Sequence, residues 1–408
     1  ARLPRAPEAQ GKQSMSAGQP PVPAGPDVVL RAAHLSVEYA GRSPTRAVRD
    51  VSIELRRGEV LGIAGESGCG KSTLAYALTR MLKPPARQTS GAITFYPADG
   101  APVDVLALQG EGLRQFRWNK IAMVFQSAMN ALNPVTSLAR QFDDIFEAHR
   151  PDTDRAARRA RARELLDMVG IDPGRMHGFA HELSGGMRQR VMIAMALALE
   201  PEIVIMDEPT TALDVVVQRE ILDEIERLRE ELGFSVIFIT HDLSLLLEVS
   251  DRLAVMYAGE VIERAPSGLA GVAPAHPYTL GLLRSFPDIR GVRRELRGVP
   301  GHPPDLRDEL PGCPFLPRCD YGFGACSGVH PVLRPPAGRA GLGPLGADWQ
   351  VACHLHDPAR CADGPPPALT GTTSAQATGA QVAAAGPAGA GTASADPVGA
   401  AESTGSDT

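Results

Sequence analysis

The chain has 408 residues, 22% of them charged, and a net charge of −6 at neutral pH. It therefore carries no overall positive excess for nucleic acid. Its longest uninterrupted apolar run, Val191 to Leu199, is less than half of what a membrane-spanning helix needs. Residues 1–26 are mostly Ala, Pro, Gly and Gln, and residues 363–408 contain no Lys, Arg, aromatic residue or Ile. Neither stretch can bury enough apolar surface to offset its ordering entropy, so both are expected to be disordered tails. No apolar stretch follows Arg2 and Arg5, no secretory signal is visible, and a cytosolic compartment is expected. The remainder suffices for two folded units, 27–265 and 266–362.

In chain order, the first informative segment is Glu59–Ala64, an apolar run of strand length, followed at Ser72–Leu78 by helical spacing. Between them, Gly65-Glu66-Ser67-Gly68-Cys69-Gly70-Lys71-Ser72 satisfies G-x-x-x-x-G-K-[ST] in the strand-to-helix setting that this phosphate-binding loop requires. Glycines let backbone N–H groups wrap around phosphates, and the helix N-terminus adds partial positive charge. Lys71 is expected to reach the β and γ phosphates of ATP, and the Ser72 hydroxyl to ligate Mg²⁺. The loop and Thr73 behind it are the expected nucleotide contacts. The Cys69 side chain is not required by that chemistry.

Further along, Asp154–Gly170 is rich in helix formers, with Leu165, Leu166, Met168 and Val169 on its apolar side. Arg155, Arg158, Arg159, Arg161 and Arg163 make it basic; without aromatic stacking residues it reads as a solvated helix face rather than a nucleic-acid surface. The strand Ile203–Met206 ends in Asp207-Glu208. Asp207 is placed to hold Mg²⁺, which leaves Glu208 as the better candidate for polarising the attacking water.

Four more segments carry a resemblance. Leu183-Ser184-Gly185-Gly186-Met187-Arg188-Gln189-Arg190 resembles the signature of ATP-binding-cassette (ABC) ATPases; Val124-Phe125-Gln126 resembles the Q-loop, Thr211-Ala212-Leu213-Asp214 the D-loop, and Ile239-Thr240-His241-Asp242 the H-loop. They occur in the family's order across residues 28–265. Tyr39 stands where the family places an aromatic that stacks on adenine. The resemblance implies an α/β P-loop NTPase cassette, a RecA-like core with a helical subdomain at about 127–183. It also implies a working pair of cassettes, in which Ser184, Gly185 and Gly186 clamp the ATP of the facing protomer. Gln126 would sense Mg²⁺ and the γ-phosphate, and His241 would contact the γ-phosphate and the attacking water.

After Tyr257–Glu263, which resembles the last strand pair of a cassette, the composition turns rich in Pro, Gly and Arg, and such a segment needs a staple to order it. Ala275–Leu280, Val299–Pro304 and Gly312–Cys319 resemble the carboxyl-terminal extension of oligopeptide, dipeptide and nickel importer ATPases. Five of the six cysteines fall here, and in a reducing compartment such a cluster reads as metal binding before disulfides. Cys313, Cys319, Cys326 and Cys353 lack the close pairs usual for structural zinc. They fit a [4Fe–4S] cluster better, and related importers carry one in this extension. Zinc, with His354 or His356 as substitute ligands, is the alternative. Cys361 reads as a bystander, although spacing alone leaves open a part in place of Cys353.

The resemblance implies an ATP-hydrolysing subunit of an ABC importer for peptides, peripheral on the cytoplasmic side of the inner membrane. Its implied partners are two transmembrane permease subunits, a second, related ABC ATPase chain and an extracytoplasmic substrate-binding protein, with no nucleic acid. An importer for nickel or another small solute is the nearest alternative. A soluble cassette acting in translation usually carries two cassettes per chain, and only one P-loop and one signature occur. A DNA-repair ATPase would need a coiled coil or zinc modules inside the cassette, and no heptad stretch separates Gln126 from Ser184.

Overall fold

The computed structural model describes residues 27–126, 131–211, 213–285, 298–339 and 348–370. Ala212 of the expected D-loop and both expected tails, apart from residues 363–370, lie outside the described residues. Two long strands, β1 (Val28–Tyr39) and β2 (Thr45–Arg56), pair antiparallel. With β4 (Ala86–Phe95) and β5 (Val103–Asp104) they form a sheet in the order β2-β1-β4-β5. The larger sheet runs β11-β10-β9-β3-β8-β7-β6. Here β3 is Val60–Ala64, β6 Ile121–Val124, β7 Ile203–Asp207, β8 Ser235–Ile239, β9 Arg252–Tyr257, β10 Glu260–Pro266 and β11 Gln350–Val351. From β6 to β9 the pairing is parallel, and β10 and β11 add antiparallel strands at the edge.

Every residue of β3, β7 and β8 is buried, as parallel strands covered on both faces require. Alternation divides their side chains between two cores. Leu61, Ile63, Ile203, Ile205, Ile237 and Ile239 meet the antiparallel sheet and α1 (Lys71–Leu78). Val60, Val204, Met206, Val236 and Phe238 belong to the opposite core.

The helix α2 (Gly110–Asn119) still sends Phe116 to the first core, while the second core takes in the helical subdomain with α3 (Leu138–His149) and α4 (Arg155–Met168). The Asp154 side chain caps α4 by accepting from the N–H groups of Ala156 and Ala157 at 2.8 and 2.9 Å. Leu165, Leu166 and Val169 are buried, as the apolar pattern predicts. On the basic side, Arg158 pairs with Glu147 at 3.2 Å, and Arg161 with Glu164 at 2.8 Å and Glu200 at 3.2 Å. Part of the arginine face is thus matched by carboxylates of the same chain.

The signature helix α5 (Gly185–Ala196) begins before the apolar run that marks it in the sequence, because Ser184 serves as its N-cap. Asp214 caps α6 (Val215–Leu232), which ends at Gly233 with φ 72°. Then come α7 (Leu243–Val249), α8 (Ser267–Val272), α9 (Pro277–Ser285) and α10 (Ala325–Gly328).

Among the described residues the extension has no core of its own. Tyr278, Phe315, Trp349, Val351 and Leu355 join the second core of the cassette, and β11 lengthens the cassette's sheet. Glu263 on β10 is fully buried and accepts N–H groups of Ala275 at 2.8 Å, His276 at 2.9 Å and Trp349 Nε1 at 3.1 Å. Two distant segments of the extension thus converge on one carboxylate of the cassette, a device that composition does not reveal. Residues 363–370, expected from composition to belong to a disordered tail, include a packed position: Leu369 is fully buried and its carbonyl accepts from Arg339 at 2.7 Å. One leucine with a matching pocket outweighs the polar average of its neighbours. No helix among the described residues is long and apolar enough to cross a membrane.

Candidate nucleotide site

The loop Gly65–Ser72 joins β3 to α1 at the carboxyl end of the parallel strands, where open α/β sheets bind their ligands. Two of its glycines are required by close backbone approach. At Gly70, with φ 108°, a Cβ would stand 2.1 Å from the Ala47 carbonyl oxygen; at Gly65 it would stand 2.4 Å from that of Met256. The Lys71 ammonium donates to the carbonyls of Gly65 at 2.6 Å and Glu66 at 3.1 Å, which holds it against the loop. Cys69 is buried and its thiol is pushed up by burial, so this position offers its backbone rather than its sulfur. Tyr39 ends β1, and its hydroxyl lies 3.1 Å from Thr73 Oγ1, tying the expected adenine platform to α1.

β7 delivers the two carboxylates. Asp207 is 1% exposed, and burial, with the Glu208 charge adding to it, holds it above the usual carboxylate range although the Ser72 hydroxyl bonds to it. One of its oxygens, Oδ1, is buried with no hydrogen-bond partner. An orphaned carboxylate oxygen beside a hydroxyl is a donor set suited to a hard divalent cation, so the residues present fit Mg²⁺.

Glu208 collects the other expected residues. Its Oε2 accepts from Gln126 Nε2 at 2.7 Å, and its Oε1 lies 3.3 Å from His241 Nδ1. Thr211 Oγ1 donates to Oε2 at 3.0 Å, a contact sequence reasoning missed; its only signal was membership of the D-loop segment. Glu208 has φ 48°, a left-handed conformation that costs a non-glycine residue on the order of 1 kcal/mol or more. Its backbone N–H donates to the Ile239 carbonyl at the end of β8 at 2.8 Å, and this bond helps hold the strained residue in place. The sheet thus brings β6, β7 and β8 side by side so that Gln126, Glu208 and His241 meet.

The signature residues are not in that group. The Ser184 hydroxyl accepts from the Met187 N–H of its own helix at 3.3 Å, and a Cβ on Gly186 would come within 2.6 Å of Val217 at the start of α6.

Residues 48–211 match the family profile described as ABC transporter, and residues 262–326 the one described as oligopeptide/dipeptide transporter, C-terminal region. A protein of Sinorhizobium fredii named as a peptide ABC transporter ATP-binding protein is 43% identical over 312 residues, 75% of this chain and 91% of that protein. The chain belongs to the ABC transporter ATP-binding family. A Brucella melitensis protein named as a peptide import ATP-binding protein is 42% identical over 299 residues, 70% of this chain and 87% of its own. Among solved structures, a dimeric bacterial ABC transporter cassette superimposes with TM-score 0.51 at 29% identity, over 58% of this chain and 98% of that one. A dimeric post-hydrolysis cassette bound to ADP and phosphate gives the same values. The fold expected from the motifs is the fold found, and the ATPase is a subunit of a membrane-associated transporter.

In the extension of this ABC ATPase all cysteines are free thiols. Cys313 and Cys319 are both pushed up to about 11, by burial first and then by neighbouring charges, those of other cysteines included. Cys353 is raised in the same way, and Cys313, Cys319 and Cys326 all act on it. The four expected thiols therefore converge. Among the described residues, however, no group of three or more His, Cys, Asp or Glu side chains stands as a metal site. His356 is fully engaged, accepting from the Ala337 N–H at 3.0 Å and facing the Ala275 carbonyl at 2.8 Å; His354 Nε2 faces the Val329 carbonyl at 2.8 Å. The engagement of both ring nitrogens counts against His356 as a zinc ligand, whereas the bond of His354 occupies Nε2 alone. Cys361 stands apart, its thiol directed at the Gly364 carbonyl at 3.5 Å.

Proposed function

We propose that this chain is the ATP-hydrolysing subunit that drives a peptide importer from the cytoplasmic face of the membrane. The carrying observation is the gathering of Gln126, Thr211 and His241 on Glu208, beside the Ser72–Asp207 pair and Lys71. The peptide class is supported by the carboxyl-terminal profile match and by the names of the relatives. The partners are two permease subunits, a second ABC ATPase chain and an extracytoplasmic substrate-binding protein.

In this reading the loop Gly65–Ser72 and Thr73 cradle the ATP phosphates, Tyr39 stacks on adenine, and Lys71 binds the β and γ oxygens. Ser72, Asp207 and Gln126 hold Mg²⁺, which neutralises charge on the phosphate oxygens when bound. Glu208 takes a proton from water as its oxygen attacks the γ-phosphorus and the bond to the β-phosphate oxygen breaks, leaving ADP and phosphate. His241 steadies Glu208 and the γ-phosphate. Ser184, Gly185 and Gly186, at a helix N-terminus, supply donors to the ATP of the facing cassette. A strain whose only copy carries Lys71→Ala is expected to lose uptake of labelled di- and tripeptides; undiminished uptake rules the reading out.

The same reading gives Cys313, Cys319, Cys326 and Cys353 to a [4Fe–4S] cluster that fastens the extension, supported by the bond from the Cys313 N–H to the Cys326 carbonyl at 2.8 Å and by the burial of Cys326 and Cys353. Anaerobically purified protein is then brown and contains iron and sulfide, both lost in Cys319→Ser. Colourless, iron-free wild-type protein removes the cluster from the account.

A further inference from the structure

The extension grips the phosphate loop directly. Arg318 lies in the turn Leu316–Arg318 just before Cys319, and its side chain is 3% exposed. Its Nη1 donates to Glu66 Oε2 at 2.7 Å and its Nη2 to Glu66 Oε1 at 2.9 Å, a two-pronged fork on a loop residue. The fork is fixed from behind: Nε donates to the Pro300 carbonyl at 2.6 Å, Nη2 to that of Val299 at 3.3 Å, and Nη1 faces the Tyr257 hydroxyl at 3.4 Å. A second residue of the extension takes the main chain of the same loop position. The Glu66 N–H donates to the Tyr278 hydroxyl at 2.9 Å, and the Tyr278 ring is fully buried, 4.7 Å from that of Tyr257 and 5.4 Å from that of Phe315.

The Glu66 carbonyl is also one of the two that hold Lys71. Fixing Glu66 at both side chain and backbone therefore fixes the path of the loop around the residue that meets the phosphates. A loop already ordered before it binds loses less entropy on binding.

We infer that Arg318 and Tyr278 are positioning residues of the ATP site, and that the extension sets ATP affinity through Glu66. The inference rests on the ATPase assignment of this site and adds the extension to it. The turn that carries Arg318 also carries its neighbour Cys319, whose N–H donates to the Leu316 carbonyl at 3.2 Å. A change in the cysteine pocket thus reaches the phosphate loop through one side chain.

The sign of one substitution separates this strut from simple charge. Glu66 is a carboxylate on a loop that binds a polyanion, so if only its charge mattered, Glu66→Gln would tighten ATP binding. If it is the anchor of the strut, Glu66→Gln weakens binding.

The test is titration of the full-length chain with fluorescent ATP and Mg²⁺, using Glu66→Gln, Arg318→Gln, Tyr278→Phe and the Glu66→Gln/Arg318→Gln pair. Each single variant is expected to raise Kd about 5- to 10-fold, the scale of one or two lost hydrogen bonds, and the pair to do no worse than Arg318→Gln alone. KM should rise with Kd while kcat at saturating ATP is kept, because the groups around Glu208 are untouched. Arg307→Gln, which removes an exposed ion pair with Asp305 in the same extension, should leave Kd unchanged. Glu66→Gln binding ATP as tightly as wild type or tighter, or losses in Glu66→Gln and Arg318→Gln that add, overturns the inference. If Arg318→Gln does not fold, Glu66→Gln and Tyr278→Phe still decide by direction. A wild-type chain that fails to bind ATP would instead refute the ATPase assignment itself.

Discussion

Glu208→Gln isolates one chemical role. In the wild type, Oε2 takes the donors of Gln126 and Thr211, and Oε1 faces His241 Nδ1. A glutamine can turn its oxygen to the first pair and its N–H to an unprotonated Nδ1, so all three contacts have a counterpart. The left-handed backbone and its bond to Ile239 do not involve the side chain and should persist. What disappears is the capacity to accept a proton from water. Loss of a positioned general base costs about 10²- to 10⁴-fold in rate, or about 2.7–5.4 kcal/mol of barrier at about 1.36 kcal/mol per tenfold. ATP affinity should hold within a factor of about three, or tighten as one negative charge leaves the site. Phosphate release under single-turnover conditions measures the first quantity and fluorescent-nucleotide titration the second. Undiminished turnover removes Glu208 from the role of base. A Kd raised in step with the lost rate would show that Glu208 organises the site rather than performing chemistry in it.

Further expectations concern the scaffold. Gly70→Ala places a methyl group 2.1 Å from the Ala47 carbonyl oxygen at φ 108°, so ATP binding should be lost while the cassette stays folded by circular dichroism. Glu263→Ala leaves the N–H groups of Ala275, His276 and Trp349 unpartnered. At about 1–3 kcal/mol per buried donor, the extension should loosen, read as earlier proteolysis beyond β10 and a red shift of Trp349 emission. His276 is buried and held down to about 3 from its ordinary 6.5, by burial first and by the neighbouring His356 second. Since its folded pKa lies below the unfolded one, its contribution is complete above pH 6.5 and is lost as pH falls toward 3. Stability should drop by up to about 1.4 kcal/mol per pH unit across that window. Urea midpoints between about pH 7 and 5 should fall less steeply in His276→Asn, which keeps an acceptor for the Tyr278 N–H.

The proposed nucleotide site was legible in part because some of its geometry is local. A glycine loop between a strand and a helix, and an acid at a strand's end, are written in consecutive residues, and the parallel sheet then brings neighbouring strand ends together. Glu208 could therefore be named from the residues alone, whereas Gln126 and His241 were named only through the resemblance of their segments to the Q-loop and H-loop. Thr211 could not be assigned its bond to Glu208, since nothing in a D-loop sequence says which way a hydroxyl turns. The extension was least legible. Its proline- and glycine-rich composition suggested a separate unit in need of a staple, whereas Tyr278, Phe315, Trp349 and Val351 pack into the cassette's own core. Periodicity is weak in such a segment, and partners far apart in sequence leave no pattern in it.

By itself, then, the sequence determined the phosphate loop, the order of the catalytic motifs and the ATPase class, because these depend on residue type at short spacing. Only the tertiary structure decided that Glu263 gathers the extension, that Leu369 extends the packed chain past its expected end, and that Arg318 reaches Glu66. Each of these joins distant segments through a buried charge or a matched pocket, and such pairing is set by how the layers pack rather than by any local pattern.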